Sequence, residues 1–319
     1  MNQPPFNLFP ELPVFNSDML NVSETHAIYY EECGNPQGYP VVFLHGGPGS
    51  GCNPTQRRFF EPNFYRIILL DQRGCGRSTP MGCTNDNTTD ALIGDIEALK
   101  NHLKINDWLV FGGSWGSTLA LTYAIAHPES VRGLILRGIF LSRRNELDWF
   151  LGEVKHFYPD SWEKLLSFIP ENERSDPLKA YSERIFSNDT AIAGPAAINW
   201  NAYESSIMSL LPRTSSAPNT TPVEIEIARA KVQIHYILNE CFVGHRDLLV
   251  EAKALSAIPT TIIQGRYDMV CPPISAWELK NAMPHAKFFM ISDAGHSAME
   301  AGVTSALVEA TESFRISHQ

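Results

Sequence analysis

The feature that most narrows the fold of this chain is a set of short, uninterrupted apolar runs, each closed by glycine or a polar turn: VVFLHGG (41–47), YRIILLDQRG (65–74), WLVFGGS (108–114) and LILRG (134–138). A strand with one face in water alternates apolar and polar residues. An unbroken apolar run of this length instead suits a strand buried on both faces, as in a parallel sheet covered by helices. The segments between the runs have a helical period. In TTDALIGDIEALKNHLKI, residues Leu92, Ile96, Leu99 and Leu103 recur at spacings of three and four, Thr88 or Thr89 stands as N-cap, and acids occupy the opening turns. STLALTYAIAHP repeats the pattern and stops before Pro128. Strand alternating with helix predicts an α/β fold with a mostly parallel central sheet flanked by helices.

The alternation breaks from about Phe140 to about Val250, where the chain turns helical and irregular and includes the loop LPRTSSAPNTTP at 211–222. It resumes with the strand-like runs TTIIQG (260–265) and KFFMIS (287–292) and ends in a helix from about Ala301 to Phe314. The expectation is a core made of residues 1–139 and 251–319, interrupted by an inserted helical cap at 140–250. A chain of 319 residues is long enough for that arrangement, and its 44% apolar content lies well outside the range of disordered proteins.

A formal charge of -10 argues against nucleic acid or an anionic membrane as partner and favours a small cationic or amine-bearing ligand. The first twenty residues carry no basic segment followed by an apolar stretch, and no run of about 18 apolar residues occurs anywhere, so neither a signal peptide nor a membrane span is expected. Six cysteines (33, 52, 75, 83, 241 and 271) have no CxxC spacing, which predicts reduced thiols and a cytoplasmic location rather than a zinc site or disulfide framework. The N-x-S/T sequons at Asn87 and Asn219 then carry no meaning, and no metal or cofactor is expected.

The chemistry is concentrated in VFGGSWGS (110–117), a strand followed by Gly112-Gly113-Ser114-Trp115-Gly116 and then a helix. In this context G-x-S-x-G is a sharp turn that brings the residues two before and two after the serine close together, so both must be small. Ser114 is left exposed at a helix N-terminus, a setting for a nucleophile. A nucleophilic serine needs a base, and the base an orienting carboxylate. QGRYDMVCP places Asp268 after a late strand and SDAGHSAME places His296 after the last, in the order Ser, acid, His. Of the rival groups, His45 suits a structural donor, Asp71 a turn-former, and His102, His127 and His285 surface or capping roles. Asp293 has no strand end of its own.

HGGPGSG (45–51) lacks the lysine of a phosphate loop, and Pro54 stands where a dinucleotide loop would need its third glycine. It fits a backbone anion hole instead. Gly47, or Gly46, would supply one amide and Trp115, the residue after the nucleophile, the other.

Taken together, HGGPGSG, DQRGCGRS, GGSWGS, GRYD and GHS resemble the α/β-hydrolase superfamily, and HGGPG with GGSWG more narrowly resembles the proline iminopeptidases. The resemblance runs from about residue 20 to the end of the chain. It implies a serine exopeptidase that releases proline from small peptides with a free N-terminus, through a prolyl-enzyme intermediate. It also implies a cap that supplies carboxylates to the substrate's amino group. NWNAYE (199–204) resembles the cap motif and puts Glu204 in that role, whereas the second cap carboxylate aligns with Gln233, an amide; Glu226 or Glu240 could substitute for it. Phe140, Trp149 and Phe150 are candidates for the wall around the pyrrolidine ring, and Cys271 is expected near the catalytic group. The alternatives are a broader aminopeptidase, a small-ester or amide hydrolase of the same fold, or a ligand-binding receptor with a vestigial triad. An epoxide hydrolase or dehalogenase would need an aspartate where this chain has Ser114.

Overall fold

The computed structural model of the chain describes residues 5–211 and 221–318. Eight strands, β1 (Val14–Asn21), β2 (Ala27–Gly34), β3 (Tyr39–Leu44), β4 (Tyr65–Asp71), β5 (Trp108–Gly113), β6 (Val131–Arg137), β7 (Thr260–Gly265) and β8 (Lys287–Ile291), form one sheet in the order β1-β2-β4-β3-β5-β6-β7-β8. Strands β3 to β8 pair in parallel, and β1 and β2 are added through antiparallel pairings. From β3 the chain passes to β4 on one side and then crosses to β5 on the other. The order of winding therefore reverses at the carboxyl ends of β3 and β5, where an open α/β sheet leaves a crevice.

Every apolar run expected as a strand is one. β1 and β2 were not anticipated, because β1 lies at the sheet edge and is mostly exposed, while β2 buries two acids. Glu31 and Glu32 are tolerated there by ion pairs: Arg57 and Arg77 hold Glu31, and Arg66 holds Glu32. A buried acid breaks the hydrophobic pattern on which strand recognition depends.

The helices are α1 (Thr89–His102), α2 (Trp115–Ala126), α3 (Arg144–Phe150), α4 (Pro159–Ser167), α5 (Pro177–Ile185), α6 (Thr190–Ile207), α7 (Val223–Leu238), α8 (Leu248–Glu251), α9 (Pro273–Ala282) and α10 (Ala301–Ile316). Thr88 caps α1 by accepting a hydrogen bond from the Ala91 amide. Val42, Leu44, Ile68 and Leu70 pack on one face of the sheet with residues of α1, α2 and α9. Val41, Phe43, Ile67 and Leu69 pack on the other with α10. Alternate residues of one run thus serve both layers, each fully buried side chain contributing about 1.5–3 kcal/mol.

Helices α3 to α7 surround a third cluster that includes Phe150, Leu165, Tyr181, Trp200, Tyr203 and Ile234. Cys241, Val243 and Leu248, which fall within residues 140–250, pack with the sheet-side cluster instead. Of the loop at 211–222, residues 212–220, including the Asn219 sequon, lie outside the described residues. Asn87 is buried, its amide donating to the carbonyls of Arg73 and Cys83, so its sequon is structural. Among the described residues no helix is long and apolar enough to cross a membrane.

Candidate active site

Ser114 joins β5 to α2 with φ 59° and ψ -130°, a conformation L-residues rarely adopt. The surroundings impose it. A Cβ on Gly112 would lie 2.1 Å from the Gly116 carbonyl oxygen, and one on Gly116 would lie 2.1 Å from that of Leu44. The two glycines therefore let β5, the start of α2 and the end of β3 meet, which puts Ser114 at the crevice. Its amide donates to the Arg137 carbonyl at 2.8 Å, tying the turn to β6.

Asp268 follows β7 and is fully enclosed. Its Oδ1 accepts from the amides of Val270 (3.0 Å) and Cys271 (2.7 Å), and its Oδ2 from Gln264 Nε2 (3.0 Å) and His296 Nδ1 (2.7 Å). The second ring nitrogen of His296, Nε2, lies 3.1 Å from Arg137 Nη1, which also donates to the His296 carbonyl at 2.9 Å. A guanidinium only donates, so Nε2 must accept and the proton sits on Nδ1, facing Asp268. That is the tautomer a general base requires. Burial lowers the pKa of Arg137, with Asp268 opposing the shift. The Ser114 hydroxyl meanwhile contacts the Cys271 thiol. Asp268 and His296 are thus brought into direct contact, whereas Ser114 and Nε2 face different partners in this arrangement.

The glycine-rich loop follows β3. Gly46 packs against the elbow: a Cβ there would lie 3.1 Å from that of Ser114. Gly47 has φ 114°, and a Cβ there would meet the Gly49 amide at 2.7 Å. Trp115 N–H belongs to the first turn of α2, whose amides have no partner four residues back. His45 is buried beneath the loop, where Nε2 accepts from the Gln72 amide at 3.0 Å and Nδ1 lies 2.9 Å from the Gly46 carbonyl. Desolvation lowers its pKa, as expected of a structural group. Asp71 does more than form a turn: Oδ1 accepts from the Cys52 amide at 2.6 Å and Oδ2 from Arg77 Nε at 2.7 Å, so it clamps this loop to the next. His102 bonds the Tyr30 hydroxyl, His127 caps α2 and His285 meets the Ile258 carbonyl.

Above Ser114 a pocket is lined by Gly47, Phe140, Phe150, Glu204, Gln233 and Cys271, among others. Trp149 is not part of this lining; its indole N–H donates to the Met269 carbonyl at 2.8 Å, linking α3 to the Asp268 turn. Glu204 is 5% exposed and faces Arg229 Nη2 (2.6 Å) and Gln233 Nε2 (2.8 Å). Neither expected substitute for the missing second carboxylate reaches the pocket. Glu226 points away, bonding Asn201 Nδ2, and Glu240 lies exposed beyond the end of α7. The second carboxylate that lines the pocket is Glu146, at the start of α3, held by Ser275 and the Leu141 and Arg143 amides.

Residues 39–303 match the family profile described as alpha/beta hydrolase fold. The chain is 48% identical over 311 residues to proline iminopeptidase of Arabidopsis thaliana, covering 97% of this chain and 82% of that protein. It is 45% identical over 301 residues to proline iminopeptidase of Neisseria gonorrhoeae, covering 93% and 96%. The chain belongs to the proline iminopeptidase family. Among solved structures, a meta-cleavage product hydrolase from Pseudomonas fluorescens superposes with a TM-score of 0.59 at 21% identity, covering 95% of this chain and 98% of that one, which reflects the shared fold.

Within this proline iminopeptidase scaffold, three site residues escaped the sequence reading: Arg137, Arg229 and Glu146. Arg137 had a signal, being a charged residue at the end of the buried strand LILR. Arg229 and Glu146 had none, since an isolated charge in an amphipathic helix is usually solvated.

Proposed function

We propose that the chain is a serine aminopeptidase that releases N-terminal proline from small peptides, acting beneath a cap formed from residues 140–250. What supports this reading is the bonded Asp268–His296 pair together with an apolar pocket that Ser114, Phe140, Phe150 and Glu204 all line. The ring of an N-terminal proline suits the phenylalanine walls, and its nitrogen suits Glu204.

In this mechanism the His296 imidazole leaves Arg137 and turns Nε2 to Ser114. Nε2 takes the hydroxyl proton as Oγ attacks the prolyl carbonyl carbon, and the carbonyl π electrons move to oxygen. The amides of Gly47 and Trp115 receive that oxyanion. Collapse of the tetrahedral intermediate breaks the C–N bond, and His296 gives its proton to the departing amine. Water, deprotonated by His296, then attacks the prolyl ester, and proline leaves as Ser114 regains its proton.

Incubation of the protein with Pro-Gly-Gly, Ala-Gly-Gly and 4-nitrophenyl acetate, with Ser114→Ala as control, tests the reading. Serine-dependent release of proline, well ahead of alanine, supports it. Preference for the ester indicates a small-ester hydrolase, and binding without turnover indicates a receptor.

A further inference from the structure

The orientation of the Gln233 amide follows from its neighbours. Trp200 Nε1 can only donate, and it lies 2.6 Å from Gln233 Oε1, so the NH2 group must point the other way. There it meets two acceptors, Glu204 Oε1 at 2.8 Å and the Gly47 carbonyl at 3.3 Å. A carboxylate at position 233 could satisfy Trp200 with one oxygen, but its other oxygen would face the Glu204 carboxylate and a carbonyl with no proton between them. Such a site demands a cation. In this chain the amide N–H group supplies the donor that a bound ammonium would otherwise provide.

The charge of Glu204 is also met from its other side. Of the two carboxylates that line the pocket, Glu204 has a guanidinium at hydrogen-bond distance, Arg229 Nη2 at 2.6 Å from Oε2, whereas Glu146 is held by Ser275 and the Leu141 and Arg143 amides, its nearest guanidinium, Arg143, lying 3.6 Å away and bonded to Glu278 at 2.6 Å. A carboxylate already paired with a guanidinium and an amide N–H gains little from a positive ligand, because each new charge-assisted contact competes with an existing one.

We infer that Gln233, with Arg229, leaves Glu204 already satisfied at the end of this acyl pocket, so that the pocket takes uncharged five-membered acyl rings nearly as readily as the prolyl cation. The inference rests on the proline reading and extends its substrate class to acyl groups with no charge at the ring nitrogen.

The test compares kcat/KM for prolyl-4-nitroanilide with that for cyclopentanecarbonyl-4-nitroanilide, which has the same ring without its nitrogen. A site dedicated to a hydrogen-bonded group rejects the analogue lacking it by roughly 10⁴-fold or more. The wild-type protein is expected to discriminate by less than about 30-fold. Gln233→Glu should widen the ratio at least about tenfold in favour of the prolyl substrate, chiefly through KM. Arg229→Met, which removes a counter-charge without touching Gln233, should shift it the same way and serves if Gln233→Glu does not fold. A larger wild-type ratio, or a ratio unmoved in the folded variants, overturns the inference while leaving proline release intact. Failure to hydrolyse the prolyl substrate at all overturns the proline reading as well.

Discussion

Asp268 holds His296 through a 2.7 Å bond from Nδ1 to Oδ2, and its other oxygen is occupied by the Val270 and Cys271 amides. The carboxylate therefore cannot turn without losing two backbone bonds. In Asp268→Asn the side-chain NH2 group can face Nδ1 and force the proton to Nε2, where it meets the Arg137 guanidinium as donor against donor. Turnover should fall about 10⁴-fold with little change in KM. A loss under about tenfold in steady-state kinetics would remove Asp268 from the mechanism.

The backbone of Ser114 is strained for any residue with a Cβ, a cost of order 1–3 kcal/mol. Glycine relieves it but has a more flexible unfolded state. Ser114→Gly should accordingly be about 1 kcal/mol more stable than Ser114→Ala in urea denaturation, with both variants inactive. Equal midpoints for the two variants would mean that the turn stores no strain.

Asp71 is fully buried, and although burial alone favours its neutral form, the hydrogen bonds from Arg77 lower its pKa. A depressed carboxylate pKa contributes stability that is present above the unfolded value, near 4, and is lost as pH falls through the folded value. Arg77→Met should destabilise the protein by about 2–3 kcal/mol at pH 7. That is less than for a fully buried pair, because Arg77 is 38% exposed and water can partly replace it. The deficit should shrink as pH falls through the range in which Asp71 takes up a proton in the folded variant, where burial is no longer opposed by Arg77, but not yet in the folded parent protein. A pH-independent deficit from denaturation curves would assign the loss to packing instead.

Cys271 lines the pocket beside Ser114, and burial raises its thiol pKa well above the ordinary value. Only the thiolate is nucleophilic, so bulky thiol reagents should modify Cys271 slowly, faster at higher pH, and with loss of activity. Half-buried Cys83 should label first without inactivation. Mass mapping of labelled sites against residual activity checks the order, and a Cys271→Ala enzyme that remains equally sensitive would disprove the assignment.

What the sequence determined by itself was everything carried by local pattern. Unbroken apolar runs marked the six parallel strands because both faces of such a strand need apolar partners. Gly112 and Gly116 marked the elbow because a two-residue spacing around Ser114 forces a close approach that a side chain would block. The loops after β7 and β8 marked Asp268 and His296 because strand ends converge on one edge of a parallel sheet.

The tertiary structure decided how charges are matched, since partners distant in sequence leave no local period. Glu31 and Glu32 could be buried in β2 only because arginines from other segments reach them. Whether Glu204 stood ready for an amine depended on Arg229 and Gln233, one turn apart on a different helix, and on the Trp200 indole that orients the amide. Backbone conformation is written in neighbours along the chain. The electrostatics of a pocket arise from residues that only the fold brings within a few ångströms of one another.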